Sequence, residues 1–92
     1  MIQSFADKDT EAFYNGKSIR RFRGFTPQAV RRMNVLDAAT TLKDLANLPS
    51  NRLESLSGNR AGQRSIRINQ QWRICFVWKD DGPHDVEIVD YH

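Results

Sequence analysis

The chain has one cysteine, Cys75, among its 92 residues, and only two histidines, His84 and His92. A lone thiol excludes an internal disulfide, and no Cys/His set has the spacing of a zinc site. Long apolar runs are missing too: none approaches the 18 or more residues that a membrane-spanning helix needs. No basic start followed by an apolar block marks a secretory signal. Three prolines and five glycines form no low-complexity tract, and no segment repeats. These absences predict one soluble domain over residues 1–92, in the reducing cytoplasm. Its core should be small, since a chain of this length buries about 60–65% of its unfolded surface.

Acidic residues are scarce in places. Fourteen Lys and Arg against eleven Asp and Glu give a net charge of only +3. Residues 17–32, however, hold Lys17, Arg20, Arg21, Arg23, Arg31 and Arg32 without one acid, a local +6. Residues 52–73 hold Arg52, Arg60, Arg64, Arg67 and Arg73 against Glu54, a local +4. Residues 79–92 reverse the sign, with Lys79 against Asp80, Asp81, Asp85, Glu87 and Asp90. Segregation of this kind suits a polyanion-binding surface, and arginine suits phosphate.

Periodicity gives the elements. Ile2–Phe5 reads as a short strand. Asp7 or Asp9 can cap a short helix carrying Ala12, Phe13 and Tyr14, which Gly16 stops. Lys17–Gly24 has no strong period and no acids of its own, so it reads as a mobile loop. Thr26 followed by Pro27 is a helix start, with the hydroxyl as N-cap. Met33, Leu36, Ala39, Leu42 and Leu45 then predict one amphipathic helix over 27–47, ended by Pro49 and Ser50. From Leu53 the period is two: a weak strand at Leu53–Leu56, a turn at 58–62, and strands at Arg64–Asn69, Trp72–Trp78 and Val86–Tyr91. The order is β-α-α-β-β-β-β and the class α+β, an antiparallel sheet with two helices packed on one face.

Strand parity locates a candidate site. Setting Ile66 and Ile68 beside Ile74 and Trp72 requires an odd loop, Asn69-Gln70-Gln71. That register puts Arg67 directly opposite Arg73 on the face away from the helices, where like charges repel unless something lies between them. With Val86 and Ile88 in the core, Tyr91 joins the same face, and His92 follows it. Arg60, Arg64 and Asn69 are further candidates for RNA or phosphate contact. Lys17, Arg20, Arg21 and Arg23 are candidates for docking a partner. Each has a plainer reading. Arg67 and Arg73 could pair with Glu87 or Asp85, the basic run could be solvated, and a last residue such as His92 could be frayed. His84 sits in a turn, Trp72 and Trp78 alternate like core residues, and Cys75 has no activating base specified. Residues alone define a basic α+β binding domain.

The motifs go further. The stretch Asn51-Arg52-Leu53-Glu54-Ser55-Leu56-Ser57-Gly58-Asn59-Arg60-Ala61-Gly62, then Ser65-Ile66-Arg67-Ile68-Asn69, Gln71-Trp72-Arg73-Ile74 and the ending Val89-Asp90-Tyr91-His92 resemble the HigB toxins of the RelE/ParE superfamily, in particular their GraT-type branch. Met1-Ile2-Gln3-Ser4-Phe5 fits as well. The resemblance implies a twisted antiparallel sheet with two helices on one side. It also implies a type II toxin that cleaves mRNA in the ribosomal A site without metal or cofactor. A HigA-like helix-turn-helix antitoxin would be its partner. Carried over by motif, Arg73 corresponds to the phosphate-stabilising arginine, and Asp90, Tyr91 and His92 to the C-terminal catalytic cluster. One departure stands out: where many members place a histidine and a lysine, this chain has Glu54, Ser55, Leu56 and Ser57. The loss of those basic groups implies weaker catalysis, or that Glu54, Arg60 or His92 takes over their part. Two other functions share this fold class: inhibition of DNA gyrase, as in the ParE branch, and RNA or ribosome binding without catalysis.

Overall fold

The computed structural model of the chain describes residues 1–90. Helix α1 spans Lys8–Tyr14, and the Asp7 carboxylate caps it by accepting from the Thr10 N–H at 3.2 Å. Gly16 ends it at φ +95°. Its N–H bonds the Phe13 carbonyl and the Lys17 N–H bonds that of Ala12, a Schellman closure that favours glycine.

The basic stretch that follows is not a loop. Arg20–Phe25 forms a 3-10 helix. With three residues per turn, Phe22 and Phe25 fall on one face, and both are buried. Phe22 stacks edge-on to Phe13 and Trp72, and Phe25 tilts against Trp72 at 4.7 Å between ring centroids. The missing acids come from α1: Arg21 bonds Asp9 at 3.1 Å and Asp7 at 3.4 Å. Helix α2, Thr26–Ala38, continues directly from this turn. Thr26 is therefore its first residue rather than its N-cap, and its hydroxyl donates back to the Phe22 carbonyl at 2.8 Å.

The helix expected over 27–47 is two. It breaks at Ala39, and α3 covers only Leu42–Ala46. The Asp44 carboxylate accepts from Thr40 N–H, Thr40 hydroxyl and Thr41 N–H at 2.9–3.1 Å, while Thr41 Oγ1 accepts from Asp44 N–H. This capping box starts a new helix inside what reads as one apolar period.

Four strands follow: β1 Glu54–Ser55, β2 Arg64–Arg67, β3 Trp72–Lys79 and β4 Gly82–Asp90, antiparallel in the order β1-β2-β3-β4. Ile66 faces Ile74 and Arg67 faces Arg73, the register that the three-residue loop requires. Asn69 Oδ1 closes that loop by accepting from Gln71 and Trp72 N–H, each at 2.8 Å. β4 starts earlier than its apolar run. The hairpin turn is Asp80-Asp81 alone, so His84 lies within the strand, its Nε2 2.6 Å from Asp81 Oδ1. Gly82 has φ +124°, and a Cβ there would meet the Met1 carbonyl at 2.6 Å.

The N-terminal strand reduces to one parallel bridge, Phe5 to Val86. At this point β4 bulges: Asp85 and Val86 together oppose Phe76, and Asp85 takes φ +52°. Gln3 N–H still bonds the Pro83 carbonyl, and Ala6 N–H that of Val86. Phe13, Phe22, Leu36, Leu45, Ile66, Ile74, Phe76, Val86 and Ile88 fill the core between helices and sheet. Among the described residues, no helix is long and apolar enough to cross a membrane.

The capping box gives a direct test. Thr41→Ala should cost about 1 kcal/mol in denaturant unfolding. The backbone and hydroxyl donors of Thr40 hold the Asp44 carboxyl below its ordinary pKa, so its contribution is present above the unfolded-state value and lost as pH falls through the folded one. The stability gap between wild type and Asp44→Ala should therefore shrink on acidification; a gap that stays constant in acid would reject this assignment.

Candidate active site

Residues paired across an antiparallel sheet share a face. Glu54, Ser65, Cys75 and Glu87 thus form one row across the four strands, and Arg67, Arg73 and Val89 the next. The alternating residues Ile66, Ile74 and Ile88 are buried in the core, so these rows lie on the face turned away from the helices.

Arg73 is the unusual member, only 8% exposed. Its Nε donates to Ser65 Oγ at 2.7 Å, and its Nη2 to the Arg52 carbonyl and more weakly to the Ser65 carbonyl at 3.4 Å. Glu54 Oε1 lies 3.9 Å from the same nitrogen. Arg67 turns the other way, its Nε donating to the Asn69 carbonyl at 3.0 Å. The opposed arginines therefore relieve their repulsion by leaning apart along the strands onto neutral oxygens. Arg73 has only the long contact to Glu54, and among the described residues Arg67 pairs with no carboxylate. A third cation reaches the face from the turn before β2: Arg60 Nη1 bonds Gln63 at 3.0 Å and Glu87 at 3.2 Å. Both partners of that ion pair are half-exposed.

The other candidates lie elsewhere. Arg64 pairs with Phe76, a core residue, so it projects at the rim of the helix-bearing side. Asp90 pairs with Trp72 on that same side, and accepts from Gln71 Nε2 at 3.1 Å. It stands beside the Asn69–Gln71 loop, to which Arg67 also reaches. The Asn69 side chain is occupied in closing that loop. Tyr91 and His92 lie outside the described residues. In the basic segment, Lys17, Arg20 and Arg23 are exposed, with Arg23 bonded to Ser18, while Arg21 is tied to Asp7 and Asp9. A surface pocket of about 410 Å³ opens there, lined by Asp9, Ser18, Ile19, Arg20 and Arg21. Sequence reasoning missed Ser65 and the Arg52 carbonyl. Ser65 was legible, being diagonal to Arg73 once the register is set. The Arg52 carbonyl was not, because it depends on a left-handed backbone at φ +48°.

Three solved structures share this architecture. The YoeB–YefM complex from Staphylococcus aureus matches with a TM-score of 0.60 over 100% of this chain and 95% of that one, at 22% identity. The YoeB dimer from the same organism gives 0.58, over 99% and 94% of the chains and again at 22% identity. A YoeB/ParE toxin from Agrobacterium tumefaciens gives 0.52 at 17% identity, over 99% and 96%. The fold is that of the YoeB and ParE toxins.

Sequence narrows the class. Residues 3–92 match the model of the RelE-like toxin of the type II toxin–antitoxin system HigB. Toxin HigB-1 of Vibrio cholerae is 39% identical over 85 residues, covering 87% of this chain and 86% of that protein. Endoribonuclease HigB of Proteus vulgaris is 31% identical over 96 residues, covering all of both. The chain belongs to the HigB-like toxins of type II toxin–antitoxin systems, as its motifs imply, and an antitoxin is its partner.

The row of buried groups has a chemical consequence for Cys75. Its thiol is fully buried, and that burial, aided by Glu87 and opposed by Arg60 and Arg73, pushes its pKa up. Thiol reagents should label the native protein only as fast as it unfolds. Rapid labelling under native conditions would mean that the face opens.

Proposed function

We propose that this HigB-like toxin is a metal-independent endoribonuclease that cleaves mRNA in the ribosomal A site and so stops translation in the cytoplasm. The observation that carries this reading is Arg73. It is a nearly buried guanidinium fixed on the open face of the sheet, with Arg67 opposite it and Arg60 nearby. The name of the Proteus vulgaris relative supports the reaction class.

In this reading the 2′-hydroxyl oxygen attacks the adjacent phosphorus and loses its proton to a carboxylate or imidazole. The bond to the 5′-oxygen breaks, that oxygen is protonated, and a 2′,3′-cyclic phosphate and a 5′-hydroxyl result. Arg73 and Arg67 balance the charge that grows on the phosphate oxygens. Tyr91 positions the nucleophile, and Asp90 and His92 handle protons. Glu54 is a further proton acceptor, since it shares the face with Arg73 and its carboxylate is more than half exposed. Arg60, and Arg64 and Asn69 at the sheet's margin, would contact flanking RNA. A shallow, open face suits a substrate that the ribosome itself orders. Lys17, Arg20 and Arg23 would dock on ribosomal RNA, and the antitoxin would be a HigA-like helix-turn-helix protein.

Primer extension on mRNA from translating ribosomes tests the reading. Arg73→Ala should reduce cleavage by about 100- to 1,000-fold, and deletion of His92 should also reduce it. Unchanged cleavage in both would overturn the residue roles. Supercoiling by gyrase blocked while ribosome-bound mRNA stays intact would instead favour the ParE-like activity.

A further inference from the structure

We infer that Ser65 is a positioning residue for this reaction, setting the plane of the Arg73 guanidinium so that one edge alone faces the substrate; the role rests on the endoribonuclease reading above. Ser65 is fully buried beside the equally buried Cys75, at the centre of a row whose ends, Glu54 and Glu87, reach solvent. A strand interior ordinarily prefers a β-branched or aromatic side chain, and a buried hydroxyl is tolerated only when bonded. Here its oxygen accepts from Arg73 Nε at 2.7 Å. The Arg52 carbonyl takes Nη2 from the other side, with Arg52 held at φ +48°, a conformation that disfavours any residue but glycine.

A guanidinium has five N–H donors in one plane. Nε and Nη2 are committed to protein oxygens, whereas Nη1 has no hydrogen-bond partner among the described residues. Asp7 Oδ1 is the one fully buried side-chain polar atom without a partner there, so Nη1 reaches the surface. The edge that would otherwise form a two-pronged contact with phosphate is thus turned inward. Arg73 meets an anion through Nη1, along a direction that Ser65 and Arg52 dictate. Without the Ser65 hydroxyl the guanidinium can rotate about its last bonds, and orientation rather than charge is lost.

Single-turnover and steady-state cleavage of ribosome-bound mRNA should be compared for wild type, Ser65→Thr, Ser65→Val, Arg73→Ala and the double variant Ser65→Val with Arg73→Ala. Thr and Val have the same shape, so any packing cost is common to both. Ser65→Val should lower kcat by about 10- to 100-fold with KM nearly unchanged, whereas Ser65→Thr keeps most of the activity. The double variant should cut no worse than Arg73→Ala alone, since Ser65 acts through that side chain. If wild type cuts and Val and Thr behave alike, or if the two losses multiply, the positioning role is overturned while the nuclease reading stands. If wild type cuts nothing, the nuclease reading falls and this role falls with it.

Discussion

One pairing governs this molecule: β2 against β3 with Ile66 facing Ile74. Because side chains alternate faces along a strand, a slip of β2 by one residue would send Ile66 to solvent and turn Arg67 inward, away from Arg73, while β4 holds Ile74 and Phe76 of β3 in the core. The hydrophobic gain of the core and the assembly of the arginine face are therefore a single event. Asn69 makes the choice local. Its side chain closes the loop at three residues, an odd length that gives this parity, and the carbonyl of the same residue receives Arg67.

The register creates an electrostatic problem and a means of using it. Arginines placed directly opposite each other repel. A close carboxylate would cure the repulsion but would also cancel the positive field. The structure uses backbone carbonyls and one serine instead, oxygens that carry partial charge only. Among the described residues, the carboxylate beside Arg73 is that of Glu54, 3.9 Å away and more than half exposed. Arg60 shows the contrast, since it is held by the carboxylate of Glu87 in an ion pair that water reaches. Of the cations on this face, Arg73 thus keeps its charge in the driest surroundings, where an anion would feel it most.

Period-two alternation sufficed to read β2, β3, the register and the arginine face from the sequence, because side-chain parity is a strong and local constraint. An aspartate cap at 7 or 9 and the Gly16 stop were legible from local cap chemistry, and the structure selects Asp7. Failures came where two local signals compete. Thr41 and Asp44 start a helix within an apolar period that points to continuity. Phe22 and Phe25 follow a three-residue spacing hidden beneath a run of arginines. Thr26 looked like a cap because the helical turn before it was missed. At the site, Arg67 and Arg73 followed from pairing alone. Asp90 and Arg64 follow the same parity to the other side, Asp90 with Val86 and Ile88, and Arg64 with Ile66. The Arg52 carbonyl depends on tertiary placement of a left-handed residue, which no spacing encodes.

Gln3 and Ala6 N–H donate to the Pro83 and Val86 carbonyls and Val86 N–H donates to the Ser4 carbonyl, which brings residues 3–6 against β4. Val86 and Ile88 are also wholly inside the core. Ile2 already has a partner in Asp37, and Phe5 in Tyr14, but the backbone bonds of Gln3, Ser4 and Ala6 form only once residues 82–90 are in place, so the N-terminal bridge and β4 close together. Such long-range closure slows folding.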